Sequence, residues 1–149
     1  MSRNRLLFDT NVLLDAIVPG RPQSEEAYRV LELCNGGGDL GFACSLSLRD
    51  VYYVLERYYD EHTARRGVEA LAGLVAIAPV GTEECYLSLQ GNEPDFEEGL
   101  VRACAELNHI DFILTRDDKA FGRSKVRKVT CAQYLAIVGE EGEEAWPGE

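Results

Sequence analysis

Basic residues are scarce in this chain. Fifteen Lys and Arg stand against 26 Asp and Glu, a formal net charge of −11. A surplus of that sign repels polyanions and favours cations and basic partners, so taken alone it speaks against nucleic acid. Histidine is scarcer still, and His62 and His109 lie at no ligand-like spacing from any cysteine, which gives little basis for a zinc site. The five cysteines are an odd number without a Cys-x-x-Cys pair, each among apolar neighbours. They exclude a disulfide framework and read as reduced core residues of a cytoplasmic protein. No apolar run has the length of a membrane span, and Met1-Ser2-Arg3-Asn4-Arg5-Leu6 leads into a short apolar segment unlike a signal peptide. No internal repeat or second domain is visible.

What is present suits one core. Of 149 residues 46% are hydrophobic and 28% charged, enough apolar material to bury roughly two-thirds of the unfolded surface without a disulfide or structural metal. Leu6-Leu7-Phe8 reads as a buried strand, Asp9-Thr10-Asn11 as a turn, and Val12, Leu13 and Ile17 as the face of a helix broken at Pro19-Gly20. A second helix from Ser24 presents Ala27, Val30, Leu31 and Cys34 and stops at Asn35-Gly36-Gly37-Gly38. Leu40 to Cys44 is a second strand, Ser45-Leu46-Ser47 the cap of a third helix to about Tyr59, and His62 belongs to the loop after it. A fourth helix is expected from Thr63 to about Val75, a strand from Ile77 to Val80, and a fifth helix from its cap Thr82 to Gln90.

Asp95-Phe96-Glu97-Glu98 has a capping-box outline ahead of a helix bearing Leu100, Val101, Cys104, Ala105 and Leu107. Strands follow at Phe112 to Leu114 and Val126 to Thr130, then a last helix to Val138. Strands alternating with helices imply an α/β fold whose mainly parallel sheet is covered on both faces. Residues 1–138 form the expected domain. Residues 139–149, with five glutamates and the single tryptophan, read as an acidic tail; setting it aside leaves −6 on the domain.

Most of the acids suit solvated helix faces or caps, but four do not. Asp9 and Asp117 each follow an apolar strand, where parallel sheets place their ligands. Asp50 lies early in the third helix among Leu48, Val51, Val54 and Leu55, and Glu98 falls in the first turn of a helix beside Gly99. Gathered together, four carboxylates need a counter-charge. Ligation by oxygen alone selects Mg²⁺ or Mn²⁺, ions completed by phosphate oxygens and suited to hydrolysing phosphodiesters with an activated water.

Four segments resemble the motifs of PIN-domain ribonucleases in family order, across about residues 5–138: Phe8-Asp9-Thr10-Asn11-Val12-Leu13-Leu14-Asp15, Ser45 to Leu55, Asp95 to Val101, and Ile113 to Phe121. The resemblance implies a three-layer α/β/α sandwich with about five strands, an acidic pocket for Mg²⁺ or Mn²⁺, and endoribonuclease activity. It further implies a VapC-type toxin, dimeric and held inactive by an antitoxin. On that likeness Asp9, Asp50, Glu98 and Asp117 are the catalytic, metal-holding acids. Asn11 orients the first of them, and the Thr115 hydroxyl bonds a metal-bound water or a neighbouring carboxylate.

Asp50 stands where most members carry Glu, and Glu98 where most carry Asp. Asp95 is the alternative third acid or simply the helix cap, and Asp118 beside Asp117 leaves the register open by one. Arg116, Lys119, Arg123, Lys125, Arg127 and Lys128 offer an RNA path or an ordinary solvated loop. Tyr52, Tyr53, Tyr58 and Tyr59 suit core packing or a partner surface better than base stacking. The rival from another class is a PIN-like scaffold without catalysis. A haloacid-dehalogenase-like phosphotransferase would want Asp at position 11, where Asn stands.

Overall fold

The computed structural model describes residues 3–145, with side chains as far as 139. In chain order the elements are β1 Arg5–Phe8, α1 Thr10–Ile17, α2 Ser24–Asn35, β2 Leu40–Cys44, α3 Ser45–Tyr58, α4 Glu61–Ala72, β3 Ala76–Ala78, α5 Thr82–Gln90, α6 Phe96–Leu107, β4 Phe112–Leu114, β5 Arg127–Val129 and α7 Cys131–Ala145. All strand pairs are parallel, in the order β3-β2-β1-β4-β5.

Because strand side chains alternate between faces, β1 feeds two cores. Leu6 and Phe8 pack with Val12, Val30, Val51, Leu71 and Tyr134 from the helices of one face. Leu7 packs on the other face with Val101, Cys104 and Ala105 of α6, and with Phe121. That burial on both sides is why the first strand is continuously apolar, and it produces the expected three layers. Helix α5 lies against α6 and closes on Gly99, where a Cβ would fall 2.1 Å from Ser88 Oγ.

The chain is delivered into β4 by a tight helix end. Asn108 caps α6, His109 takes a left-handed conformation (φ 53°), and the amides of His109 and Ile110 bond to the carbonyls of Glu106 and Ala105. These two bonds form a Schellman motif with histidine in the usual place of glycine. The amide of Arg5 then donates to Asp111 Oδ2 (2.8 Å), setting β4 beside β1.

Several boundaries differ from the sequence reading. Helix α4 starts at Glu61 because Asp60 caps it, accepting the Thr63 amide at 2.7 Å, so His62 lies in a first turn rather than a loop. Gly81 precedes α5 and donates to Glu84 Oε1 (2.9 Å), making Thr82 the first helical residue rather than the cap. Helix α7 continues through Ala145 rather than ending at Val138. Part of the expected tail is thus helical backbone, and Trp146 to Glu149 lie outside the described residues. All five cysteines are free: Cys44, Cys104 and Cys131 are buried, Cys34 and Cys85 half-buried. Among the described residues no helix is long and apolar enough to cross a membrane.

Candidate functional site

Central strand β1 is flanked by β2 on one side and β4 on the other, so chain connections leave in opposite directions at its carboxyl end, the place where open sheets bind ligands. The ladder continues one step past the strands. The Asp9 amide bonds to the Leu114 carbonyl and the Thr115 amide to the Val129 carbonyl, each at 3.0 Å. This sets Asp9 and Thr115 side by side. The buried Thr115 hydroxyl donates to Asp9 Oδ2 (2.9 Å), while Asp9 Oδ1 accepts the Thr10 amide (3.0 Å).

Beyond them opens a cavity of about 310 Å³ lined by Asp9, Asn11, Ser47, Asp50, Asp95, Glu97, Glu98 and Asp117, with Val101 and Phe121 among its apolar walls. The acids Asp9, Asp50, Glu98 and Asp117, with Asn11 and Asp95, therefore face one space; Thr115 stands behind Asp9. Helix α3 brings Asp50 and the start of α6 brings the 95–98 acids. Asp95 caps α6 through the Glu98 amide (3.4 Å) and lines the cavity as well. Asp117 ends a local turn, its amide on Thr115 Oγ1 (3.2 Å) and its Oδ1 accepting the amides of Lys119 (3.0 Å) and Ala120 (3.3 Å).

The electrostatics are those of crowded acids. Burial pushes the Asp9 carboxyl above its ordinary value and the charges of Asp117 and Asp50 add to this, against the pull of the Thr115 and Thr10 hydrogen bonds. Burial also raises Glu98, with Glu93, Asp117 and Asp95 pushing the same way and the Phe121 amide opposing. Glu97 is raised by burial and then by the charge of Asp50.

The sequence reading missed Glu97. Its neighbour Glu98 lies about 100° around the helix, and sequence alone does not show that both reach a cavity that spans the first turn. It also missed Asp15, six residues beyond Asp9 and 1% exposed among the apolar residues of α1.

The basic segment is largely committed elsewhere. Arg116, one of the cations that offered an RNA path or a solvated loop, gives its guanidinium to Asp15 (Nε to Oδ2 3.0 Å, Nη2 to Oδ1 3.3 Å). Arg123 donates to the Asn92 carbonyl, and Lys128 Nζ braces the loop through backbone carbonyls, among them Ala120 at 2.6 Å. Lys119 is exposed next to the cavity-lining Ala120. Tyr52 packs against the core, whereas Tyr53, Tyr58 and Tyr59 are exposed.

Carboxylates, an amide and hydroxyls form an all-oxygen donor set that fits a hard divalent cation and not zinc. Burial raises both Asp9 and Glu98 most, and the charge of Asp117 adds to each; that repulsion is the part such an ion would relieve. Among the described residues, no three His, Cys, Asp or Glu side chains stand close enough together to hold an ion as placed. The donors line the cavity without forming a closed shell.

Solved structures share this architecture. The toxin–antitoxin complex from Klebsiella pneumoniae is similar with a TM-score of 0.64 at 22% identity, over 85% of this chain and 97% of that one. VapBC2 from Rickettsia felis, bound to a DNA fragment from its promoter, gives 0.66 at 14% identity over 85% and 98%. VapC20 from Mycobacterium tuberculosis, a sarcin-ricin loop cleaving toxin, gives 0.62 at 15% identity over 76% and 91%. No curated protein matches the chain. Its sequence does match the PIN domain family from residue 5, where β1 begins, to residue 119 in the loop after Asp117. On that match the chain belongs to the PIN-domain family.

Proposed function

We propose that this chain is a metal-dependent endoribonuclease and the toxin of a toxin–antitoxin pair. The observation that carries the reading is the meeting of Asp9, Asp50, Asp95, Glu97, Glu98 and Asp117 around one cavity at the carboxyl ends of β1 and β4. Asp9, Asp50, Glu98 and Asp117 would hold Mg²⁺ or Mn²⁺. When bound, such an ion lowers the pKa of a water and offsets charge at a scissile phosphate.

The chain's own groups do the positioning. Thr115 fixes the Asp9 carboxylate by a hydrogen bond, leaving Asp9 no free choice of rotamer. Asn11 lines the cavity beside it. Asp95 holds the first turn of α6, and the Phe121 amide holds Glu98. Glu97, raised by burial and by the charge of Asp50, is a group at the cavity wall able to take or give a proton.

Lys119 is the cation best placed for a phosphate contact of an RNA path, since Arg116 and Arg123 are engaged by Asp15 and the Asn92 carbonyl. With a net charge of −11 and few unpaired cations near the cavity, RNA affinity rests on the ion. The toxin reading and its protein antitoxin are supported by the toxin–antitoxin complexes among the structural neighbours; a homodimeric state and a cytoplasmic location belong to the same proposal.

A second reading, an inactive PIN-like scaffold, is favoured by the open arrangement of the acids as placed. Incubating the chain with a structured RNA under Mn²⁺, under Mg²⁺ and in chelator separates the two. The nuclease cleaves only with metal; the scaffold neither cleaves nor takes up Mn²⁺ tightly.

A further inference from the structure

We infer that Arg116 is a positioning residue for the proposed metal site and that buried Asp15 is its anchor; the inference rests on the nuclease reading. Asp15 is 1% exposed, and both its oxygens are engaged by guanidinium groups. Arg21 Nε meets Oδ1 at 2.7 Å from the loop after α1, and Arg116, 101 residues away in sequence, reaches Oδ2 and Oδ1.

Arg116 lies between Thr115, which bonds to Asp9, and Asp117, which lines the cavity. Asp117 is itself exposed, and its hydrogen bonds stay within residues 115–120 apart from the lysine that braces its carbonyl. Through the Thr115 hydroxyl, which also donates to Asp9, those bonds tie the turn to the start of α1 at one point and leave its orientation about that point free. A planar guanidinium gripping both oxygens of an immobile carboxylate fixes it, because it sets orientation as well as distance. Helix α1 thereby holds the site twice, at Asp9 through Thr115 and at Asp15 through Arg116. Stability alone is a poor reason for such a pair, since buried ion pairs often contribute little net free energy.

The test compares Arg116→Ala and Arg116→Lys with Arg21→Ala, which removes an equal charge from Asp15 without touching the turn. Mn²⁺ affinity of the full chain is read by calorimetry, and exchange of the Thr115 and Asp117 amides by NMR in chelator. Expected are a loss of Mn²⁺ affinity of about tenfold or more and exchange faster by a similar factor for Arg116→Ala. Arg116→Lys should fall between, and Arg21→Ala should stay within about twofold on both readouts even where its Tm falls as far. Wild-type Mn²⁺ affinity in Arg116→Ala, or equal losses in Arg21→Ala, would overturn the assignment. If the wild type takes up no Mn²⁺, the nuclease reading fails, and the exchange rates alone decide the positioning role: unchanged rates in Arg116→Ala refute it, selective acceleration supports it.

Discussion

Asp9→Asn should reverse its effect on stability with the presence of metal. The carboxylate accepts two hydrogen bonds, from Thr115 at 2.9 Å and Thr10 at 3.0 Å. Asn offers one acceptor oxygen in place of two: with that oxygen toward Thr10, its NH2 faces the Thr115 hydroxyl, which must turn to accept, so the two bonds together lose roughly 2 kcal/mol. Against this stand the burial of the charge and its repulsion by Asp117 and Asp50. Together they outweigh both bonds, because the Asp9 carboxyl is held above its ordinary value despite them. A neutral isostere is therefore favoured over the carboxylate, and in chelator the variant should melt at or above the wild-type temperature. With Mn²⁺ at 100 times Kd the wild type gains about 2.7 kcal/mol. That is a rise of roughly 5–11 °C for a domain of this size. The variant should show no such rise and no RNA cleavage. Thermal melts of both proteins, with Mn²⁺ and with EDTA, give four numbers whose order is fixed in advance. An Asp9→Asn protein that melts several degrees lower in EDTA, or that keeps the Mn²⁺ shift, refutes the reasoning.

Further outcomes test other links. Tyr134→Phe removes a fully buried hydroxyl that donates to Asp39 Oδ2 at 2.5 Å and accepts from Asn4 Nδ2 at 3.0 Å. Leaving a buried carboxylate oxygen without that donor should cost about 2–3 kcal/mol in urea unfolding. Gly99→Ala sets a Cβ 3.0 Å from Ser88 Cβ and 3.3 Å from its Cα, besides displacing the Ser88 hydroxyl from the Phe96 carbonyl. The gain in helix propensity, about 1 kcal/mol, is smaller than the overpacking, so the variant should be less stable by roughly 1–2 kcal/mol. With pH, the raised acids Asp9, Glu97 and Glu98 bind protons more readily folded than unfolded, so metal-free stability should rise as pH falls from neutral through their raised values, the gain being complete below the ordinary carboxylate range of about 4. Asp60 acts oppositely: its carboxyl is held low by the Thr63 amide, and its contribution, present above the ordinary range, is lost as pH falls through the depressed value. Urea midpoints in chelator at several pH values follow both; a monotonic fall from pH 7 downward would contradict the first.

The parts of the fold legible in sequence were those where one local pattern decides. Leu6-Leu7-Phe8 and Phe112-Ile113-Leu114 have no polar face to show water, so each could only be an interior strand, and the acids at their ends follow directly. Asp95 announced its helix because cap and apolar face lie within ten residues. Helix α4 was misjudged because Asp60 and Thr63 form its cap outside any hydrophobic period. Helix α7 runs past Val138 because glutamates propagate a helix as readily as they solvate a tail. At the site, Asp9 and Asp117 were readable, being placed by strands. Glu97 was not, because one helical step separates it from Glu98 and only packing shows that the cavity spans both. Arg116 was hidden among six cations, since its partner Asp15 is neighbouring only after β4 pairs with β1.

The central claim is that Asp9, Asp50, Glu98 and Asp117 together hold a divalent ion. Anomalous diffraction at the manganese edge from crystals soaked in Mn²⁺ tests this most directly. The account predicts a peak inside the cavity within ligand distance of Asp9 and Asp117, with Asp50 or Glu98 completing the contacts. A cavity free of anomalous density under soaking that saturates other Mn²⁺ proteins, or a peak held by residues elsewhere, would contradict it.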